Sequence, residues 1–407
     1  MKYKNSLVLI SILLISGGCI QRTTGTKPTI QVIETPQTVV GRAGETTTIT
    51  RRREPIITME EPIIIDEQPI VTTPQNDLSS IINIRRPYLA GVYANNPKLR
   101  RFIDTMVNKY HFRRDYLNGV FSNVQRDTLS LKKYNVFGTA KTTMKANSVG
   151  SWDKYPKFVT EDRIKNGIAF WRANRYYLEK AAFIYHVAPE YILGIIGVET
   201  NFGRDIGKHR LIDALTSLSL EYKKRSKFFT KQLEEYLLLT KEQKMNPLEI
   251  KGSYGGAFGI VQFMPDSFRD YAVDFNGDNI ANLFDPADAI GSTANFFVKK
   301  GKWNSNIPVA MKVQYPKSRI YGVKDGYKTE YSQSYLKSLG MRPTSNFYGY
   351  KGPVSLIKLS HYNYDELWWG TKNFYAIARY NPREYYVMSV HLLAQAIRQR
   401  YYETYKN

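Results

Sequence analysis

The sequence predicts an α+β protein, in which a mainly α-helical domain carries a small β-sheet-containing insertion and follows an N-terminal tether. Three observations predict it. Apolar residues recur at helical spacing through much of residues 96–299 and again over 384–402. Roughly between residues 303 and 375 the pattern changes to short β-prone pieces, punctuated by Gly and Pro and rich in Tyr. Residues 20–80 contain no aromatic side chain and are dominated by Thr, Pro, Arg and Glu, a composition that buries too little apolar surface to offset ordering entropy.

The chain opens with Lys2 and Lys4 before an apolar run, Leu7 to Ile15, broken only by Ser11, and then Ser16-Gly17-Gly18 and Cys19. This is the layout of an export signal, assigned to residues 1–18. Cys19 is the only cysteine, so no intramolecular disulfide can form, and its place resembles a bacterial lipobox, in which the cysteine becomes the acylated N-terminus. An ordinary signal peptide with an incidental cysteine is the alternative. Residues 19–84 then read as a flexible tether from a lipidated Cys19 to the body of the protein. No later stretch reaches the ~18 uninterrupted apolar residues of a membrane-spanning helix.

Lys and Arg outnumber Asp and Glu by 58 to 36, a formal charge of +22, which calls for a polyanionic neighbour: nucleic acid, anionic lipid or an acidic wall polymer. The export signal and the lack of a nucleic-acid-binding motif argue against nucleic acid.

Residues 85–302 read as the α-helical domain. Helical patterns cover 96–118, 160–186, 189–199, 211–220, 225–242, 265–273 and 286–299, the last two opened by Pro265 and Pro286. Residues 303–375 form the β-containing subdomain, and 376–407 supply a C-terminal helix, 384–402, that returns to the α domain.

Counting from Pro189, residues Ile192, Ile195, Ile196 and Glu199 share one helix face. A carboxyl group there is desolvated and also meets the negative end of the helix dipole, and both effects raise its pKa. Such an acid can protonate a leaving oxygen near neutral pH. On periodicity alone, a Glu turning its head to water at the helix end is the simpler reading. Residues Gly252 to Gln262 hold four glycines and end in a polar side chain before Phe263-Met264-Pro265, which leaves room for a ligand or serves a tight connection between helices. The loop Asp274-Phe-Asn276-Gly-Asp278-Asn-Ile280-Ala-Asn-Leu-Phe-Asp285 places oxygen-bearing side chains at positions one, three, five and twelve and a backbone carbonyl, that of Ile280, at seven. It resembles an EF-hand calcium loop, with Asn279 for the usual Gly and Asp285 for the usual Glu. An Asn/Asp-rich turn between helices is the alternative. The 31 tyrosines suit sugar stacking as well as structure.

The string Gly194-Ile-Ile-Gly-Val-Glu-Thr-Asn-Phe-Gly203 resembles the catalytic-glutamate motif of the membrane-bound lytic murein transglycosylase B family. The likeness continues through Ile212-Asp-Ala-Leu215, Gly252 to Pro265, Tyr271 to Asp288, Asn373-Phe374-Tyr375 and Arg379-Tyr380-Asn381. The resemblance implies a lysozyme-like catalytic domain that cleaves the β-1,4 bond between N-acetylmuramic acid and N-acetylglucosamine in peptidoglycan, leaving 1,6-anhydromuramic ends. Glu199 would be the single general acid and base, so that Asp205, Asp213 and Glu221 need not act, whereas a hydrolytic muramidase would need one of them. It further implies that Ser253 and Gln262 lie beside the glutamate and substrate, that Tyr222, Tyr254, Tyr380 and Tyr386 line the cleft, and that Lys224 and Arg225 stand where the family has an Arg-Arg pair facing peptide stems. A structural calcium ion would sit in the loop on Asp274, Asn276, Asp278, Ile280 and Asp285, with no cofactor needed for the chemistry. Partners would be peptidoglycan, a membrane reached through the lipid anchor, and other cell-wall enzymes. Ile20 after Cys19 suits the periplasmic face of a Gram-negative outer membrane. A non-catalytic peptidoglycan-binding lipoprotein is the rival class of answer.

Overall fold

The computed structural model describes residues 37–40, 46–49, 84–136 and 148–404, the side chains of residues 37–40, 46–49 and 348 excepted. The export signal, Cys19 and most of the tether therefore lie outside the described residues. Within the tether, read as flexible with an added β-strand as the alternative from its Ile/Val/Thr alternation, β1 (Gln37–Val40) pairs antiparallel with β2 (Thr46–Ile49). Both strands are rich in β-branched Val and Thr, which favour the extended backbone.

In the body, α1 (Pro97–Tyr110) starts at Asn96, whose side-chain oxygen accepts hydrogen bonds from the amides of Lys98 and Leu99. Where periodicity suggested one helix to 118, the chain turns at His111 (φ 56°), buries Phe112, and restarts as α2 (Arg114–Ser122). A short α3 (Thr128–Lys133), capped by Asp127, was missed. The next pattern divides into α4 (Glu161–Ala173) and α5 (Arg175–Tyr185), because Asn174 donates its side-chain amide to the Phe170 carbonyl and competes with the helix ladder.

Helix α6 (Pro189–Thr200) was read as amphipathic and is instead buried on nearly every side, from Tyr191 to Val198. Around it stand α7 (Leu211–Glu221), α8 (Ser226–Glu242), α9 (Pro265–Tyr271) and α10 (Pro286–Phe296), the last continued by a π-helical turn over Phe297–Gly301. A two-residue antiparallel pair, β3 (His209–Arg210) with β4 (Lys251–Gly252), ties the loop after α6 to the loop after α8.

The β region holds β5 (Ala310–Gln314), β6 (Glu330–Tyr331), β7 (Arg342–Pro343), β8 (Val354–Ser360) and β9 (Asp365–Gly370) in one antiparallel sheet of order β6-β8-β9-β5-β7. It has its own apolar cluster, which includes Met311, Val313, Leu356, Trp369 and, from α11 (Gln333–Ser338), Leu336. After α12 (Lys372–Ala378), α13 (Glu384–Glu403) crosses α6.

That crossing is close. A Cβ on Gly194 would stand 2.7 Å from the Val390 carbonyl oxygen, so only glycine lets the two backbones approach this far. Beside it, Tyr191 Oη meets His391 Nδ1 at 3.1 Å and accepts a hydrogen bond from Gln395 Nε2. Burial holds the His391 pKa down at about 4, from 6.5. The unfolded chain takes up this proton as pH falls below 6.5, while the folded ring resists until about 4, so the stability is present above that window and lost within it. Acid titration of thermal stability should therefore show a loss on the order of 3 kcal/mol between these values, and His391→Gln should flatten that part of the curve.

Candidate active site

Glu199 is the penultimate residue of α6. Ile192, Ile195 and Ile196, on its own face, are fully buried, and Glu199 itself is largely so. Burial is the main cause that lifts its carboxyl pKa, to about 7, and a hydrogen bond from Tyr386 Oη to Oε1, at 2.5 Å, opposes the rise. The group is thus poised to give and retrieve a proton near neutrality.

Three tyrosines lie within electrostatic reach of this carboxyl group. Tyr386 comes from α13 and touches it directly. Tyr380, its hydroxyl pushed well up by burial and then by the charge of Glu199, donates to the Val261 carbonyl and so ties the glycine-rich loop to the site. Tyr155 is raised by burial and also feels the Glu199 charge. It lies between α3 and α4 in a stretch without helical or strand periodicity, so no sequence signal marked it.

The loop from Gly252 to Gln262 is held against the end of α6 by Thr200, whose hydroxyl donates to the Ile260 carbonyl at 2.6 Å. Gln262 is left-handed (φ 52°) and spends its amide hydrogens on the carbonyls of Ile206 (3.0 Å) and Gly259 (2.9 Å). Its Oε1 stays available as an acceptor. Ser253 Oγ accepts from the amides of Gly255 (3.3 Å) and Ala257 (3.1 Å), leaving its O–H to donate. Both residues shape the loop and keep one polar function each uncommitted to it. The glycines do not chiefly leave room for a sugar, as the sequence suggested: a Cβ on Gly252 would collide with the Ala257 carbonyl, and one on Gly259 with Leu283. They are small because protein packs against them.

Tyr222 and the exposed Tyr254 are joined by a residue the sequence analysis missed, Tyr134, whose ring centroid lies 5.4 Å from the first and 5.8 Å from the second. Lys224 and Arg225 are exposed in the turn before α8, where the Arg225 guanidinium lies 4.0 Å over the Phe228 ring.

The other nearby acids are occupied or peripheral. Asp213 receives two hydrogen bonds from Arg210 and one from the Gln125 amide. Glu221 accepts from Arg126 and Tyr93, whose hydrogen bonds outweigh its burial and hold its pKa low. Asp205 is exposed. Arg163, another residue missed, donates at 2.5 Å to the Gly197 carbonyl and so caps the last turn of α6.

The EF-hand-like loop gathers Asp274, Asn276 and Asp278: Asp274 accepts from the amides of Gly277, Asp278 and Asn279, and Asn276 donates to Asp278. Asn279 adopts the left-handed conformation expected of it (φ 69°), and the Ile280 amide donates to Asp278. Asp285 caps α10, accepting from the amides of Ala287 and Asp288. The acid folded back on the loop is Asp288, fully buried, accepting from the amides of Phe275, Asn276 and Asn282, with burial lifting its pKa to about 6. No group of three or more His, Cys, Asp or Glu side chains is placed to hold a metal among the described residues. The donor set that fits a hard cation is therefore a mixed one of carboxylate, amide and backbone oxygens.

The model of the transglycosylase SLT domain matches residues 94–395. Membrane-bound lytic murein transglycosylase B of Escherichia coli (strain K12) is 41% identical over 311 residues, 76% of this chain and 85% of that protein. The structure of the E. coli lytic transglycosylase Slt35 in complex with bulgecin A is 38% identical, covers 81% of this chain and 99% of its own, and superposes with a TM-score of 0.70; a second structure of that enzyme is in complex with calcium. Lytic transglycosylase SltB1 of Pseudomonas aeruginosa is 35% identical over 76% of this chain and all of its own, with a TM-score of 0.66. By sequence and by fold, the chain belongs to the transglycosylase SLT domain family.

Proposed function

We propose that this lytic transglycosylase cleaves the β-1,4 bond between N-acetylmuramic acid and N-acetylglucosamine without adding water, with Glu199 acting first as acid and then as base. The observation that carries the reading is a single buried carboxyl group with a pKa of about 7 at the end of α6, while Asp213 and Glu221 are committed to arginines. Protonated Glu199 gives its proton to the glycosidic oxygen, and the substrate's N-acetyl group shelters the cationic carbon. The resulting carboxylate then takes the proton of the muramic C6 hydroxyl, whose oxygen closes the 1,6-anhydro ring. Tyr386 favours the carboxylate form in the second step. Ser253 O–H and Gln262 Oε1 are the polar functions left to orient the sugar.

The same loop that held the EF-hand resemblance is proposed to bind a structural calcium ion through Asp274, Asn276, Asp278 and the Ile280 carbonyl, with Asp288 as the buried acid at its base. The complex of the E. coli relative with calcium supports this reading. Anchoring through an acylated Cys19 to the periplasmic face of the outer membrane is proposed from the N-terminal sequence, and the membrane-bound relative supports attachment to a membrane.

Digestion of purified peptidoglycan followed by mass spectrometry should yield anhydromuramic ends with the wild-type chain; reducing ends would sink the transglycosylase mechanism. Glu199→Gln should lower that activity by roughly three orders of magnitude or more, and should raise the melting temperature at pH 8 but not at pH 5, because only the ionised buried carboxylate is costly. Tyr386→Phe removes the hydrogen bond that favours the carboxylate, so the alkaline limb of the pH–activity curve should move upward. Calcium should raise the melting temperature of the wild-type protein by a few degrees and that of Asp278→Asn by less. A fatty-acid analogue fed to cells should label the protein and fail to label Cys19→Ala.

A further inference from the structure

The stretch after α6 runs alongside the glycine-rich loop. The Ile206 carbonyl takes the Gln262 amide, a Cβ on Gly207 would stand 2.2 Å from the Gly252 carbonyl oxygen, and His209 pairs across β3–β4 with Gly252. This places the His209 ring next to Tyr254, at 6.4 Å and nearly perpendicular. Tyr254 is followed by Tyr134 and then Tyr222, at 5.8 and 5.4 Å. Four rings therefore form a continuous row beside the glycine-rich loop. Tyr254 is exposed and the other three are half-buried, so each keeps an accessible edge or face.

His209 is oriented from behind. Asp127 Oδ2 stands 2.7 Å from His209 Nδ1 and also accepts from Ser130 Oγ at 2.6 Å, while Oδ1 takes the Ser130 amide. Hydrogen bonds from Ser130 and His209 hold the Asp127 pKa low against its burial, so it is a carboxylate that can only accept. Nδ1 must then carry the hydrogen, and in the neutral ring Nε2 is the acceptor. Among the described residues nothing donates to Nε2, and it is not one of the buried unpaired atoms. An acceptor of fixed direction beside an open aromatic row suits a pyranose, whose C–H face stacks on a ring while a hydroxyl or acetamido N–H donates at its edge. An anionic ligand is disfavoured there by the Asp127 charge.

We propose that His209, held by Asp127, is a saccharide-binding residue that, with Tyr254 and Tyr134, extends the glycan cleft beyond the residues around Glu199. The inference rests on the glycan reading above. Asp127 acts through His209 and is a positioning residue. It also caps α3, and Asp127→Asn keeps that cap through its Oδ1 while its amide donates to Nδ1, which forces the hydrogen onto Nε2 and removes the acceptor.

The test measures binding of glycan strands of graded length, freed of stem peptides, to the full chain carrying Glu199→Gln so that no cleavage occurs. Adding His209→Ala or Asp127→Asn should weaken binding of long strands by about fivefold and leave the shortest binding strands unchanged, a loss of the size of one hydrogen bond. Nitrogen-15 NMR of the imidazole should report the Nδ1–H form in the parent and the Nε2–H form in Asp127→Asn, with melting temperature unchanged. Equal loss at every length, or no loss, would overturn the proposal. Failure of the parent reading is seen separately, as the absence of anhydro ends from the unsubstituted chain.

Discussion

The hydrogen bond from Tyr386 to Glu199 joins residues 187 positions apart, and it exists only because α13 packs directly on α6. That approach depends on Gly194, which admits the Val390 carbonyl, and on Gly197, which admits Leu393 and Phe202. Close packing makes α6 a helix buried on nearly every side, and burial at its end raises the Glu199 acid. The same contact that stabilises the domain thus sets the proton affinity of this buried carboxyl group. Tyr386 moderates the effect, so the carboxyl group remains able to ionise.

A second constraint is the demand of buried backbone for partners. The loop from 252 to 262 has little regular structure, and its polar groups are satisfied by Thr200, Ser253, Gln262 and Tyr380. The glycines contribute backbone proximity at Gly252 and Gly259 and little empty space. The 274–288 loop shows the same logic, for Asp288 satisfies three backbone amides from inside the fold while Asp285 caps the next helix.

Much of this was legible in the chain. Helical spacing located α6 to α10 and α13 to within a few residues, and the change of pattern after residue 303 marked the sheet. The breaks at His111 and Asn174 were not legible, because apolar periodicity runs through both and the turns follow from burying Phe112 and from a side-chain hydrogen bond to Phe170. The family motif singled out Glu199, Tyr386 and Tyr380, and the fold brings Tyr386 onto the Glu199 carboxyl group and Tyr380 onto the Val261 carbonyl; the helix-capping bonds of Asp285 were not legible from spacing.

The sequence by itself determined the helical and β-prone segments, the placement of one carboxyl group at the end of an apolar helix, and the family to which the motifs belong. These are local properties, written in periods of two to four residues and in short strings. Tertiary structure alone decided how strongly Glu199 is desolvated, that Tyr386, Tyr380 and Tyr155 surround it, and that Asp127 and His209, 82 positions apart, meet beside Tyr254. Electrostatic environment depends on which groups share a small volume, and residues far apart along the chain acquire that relation only when the helices pack.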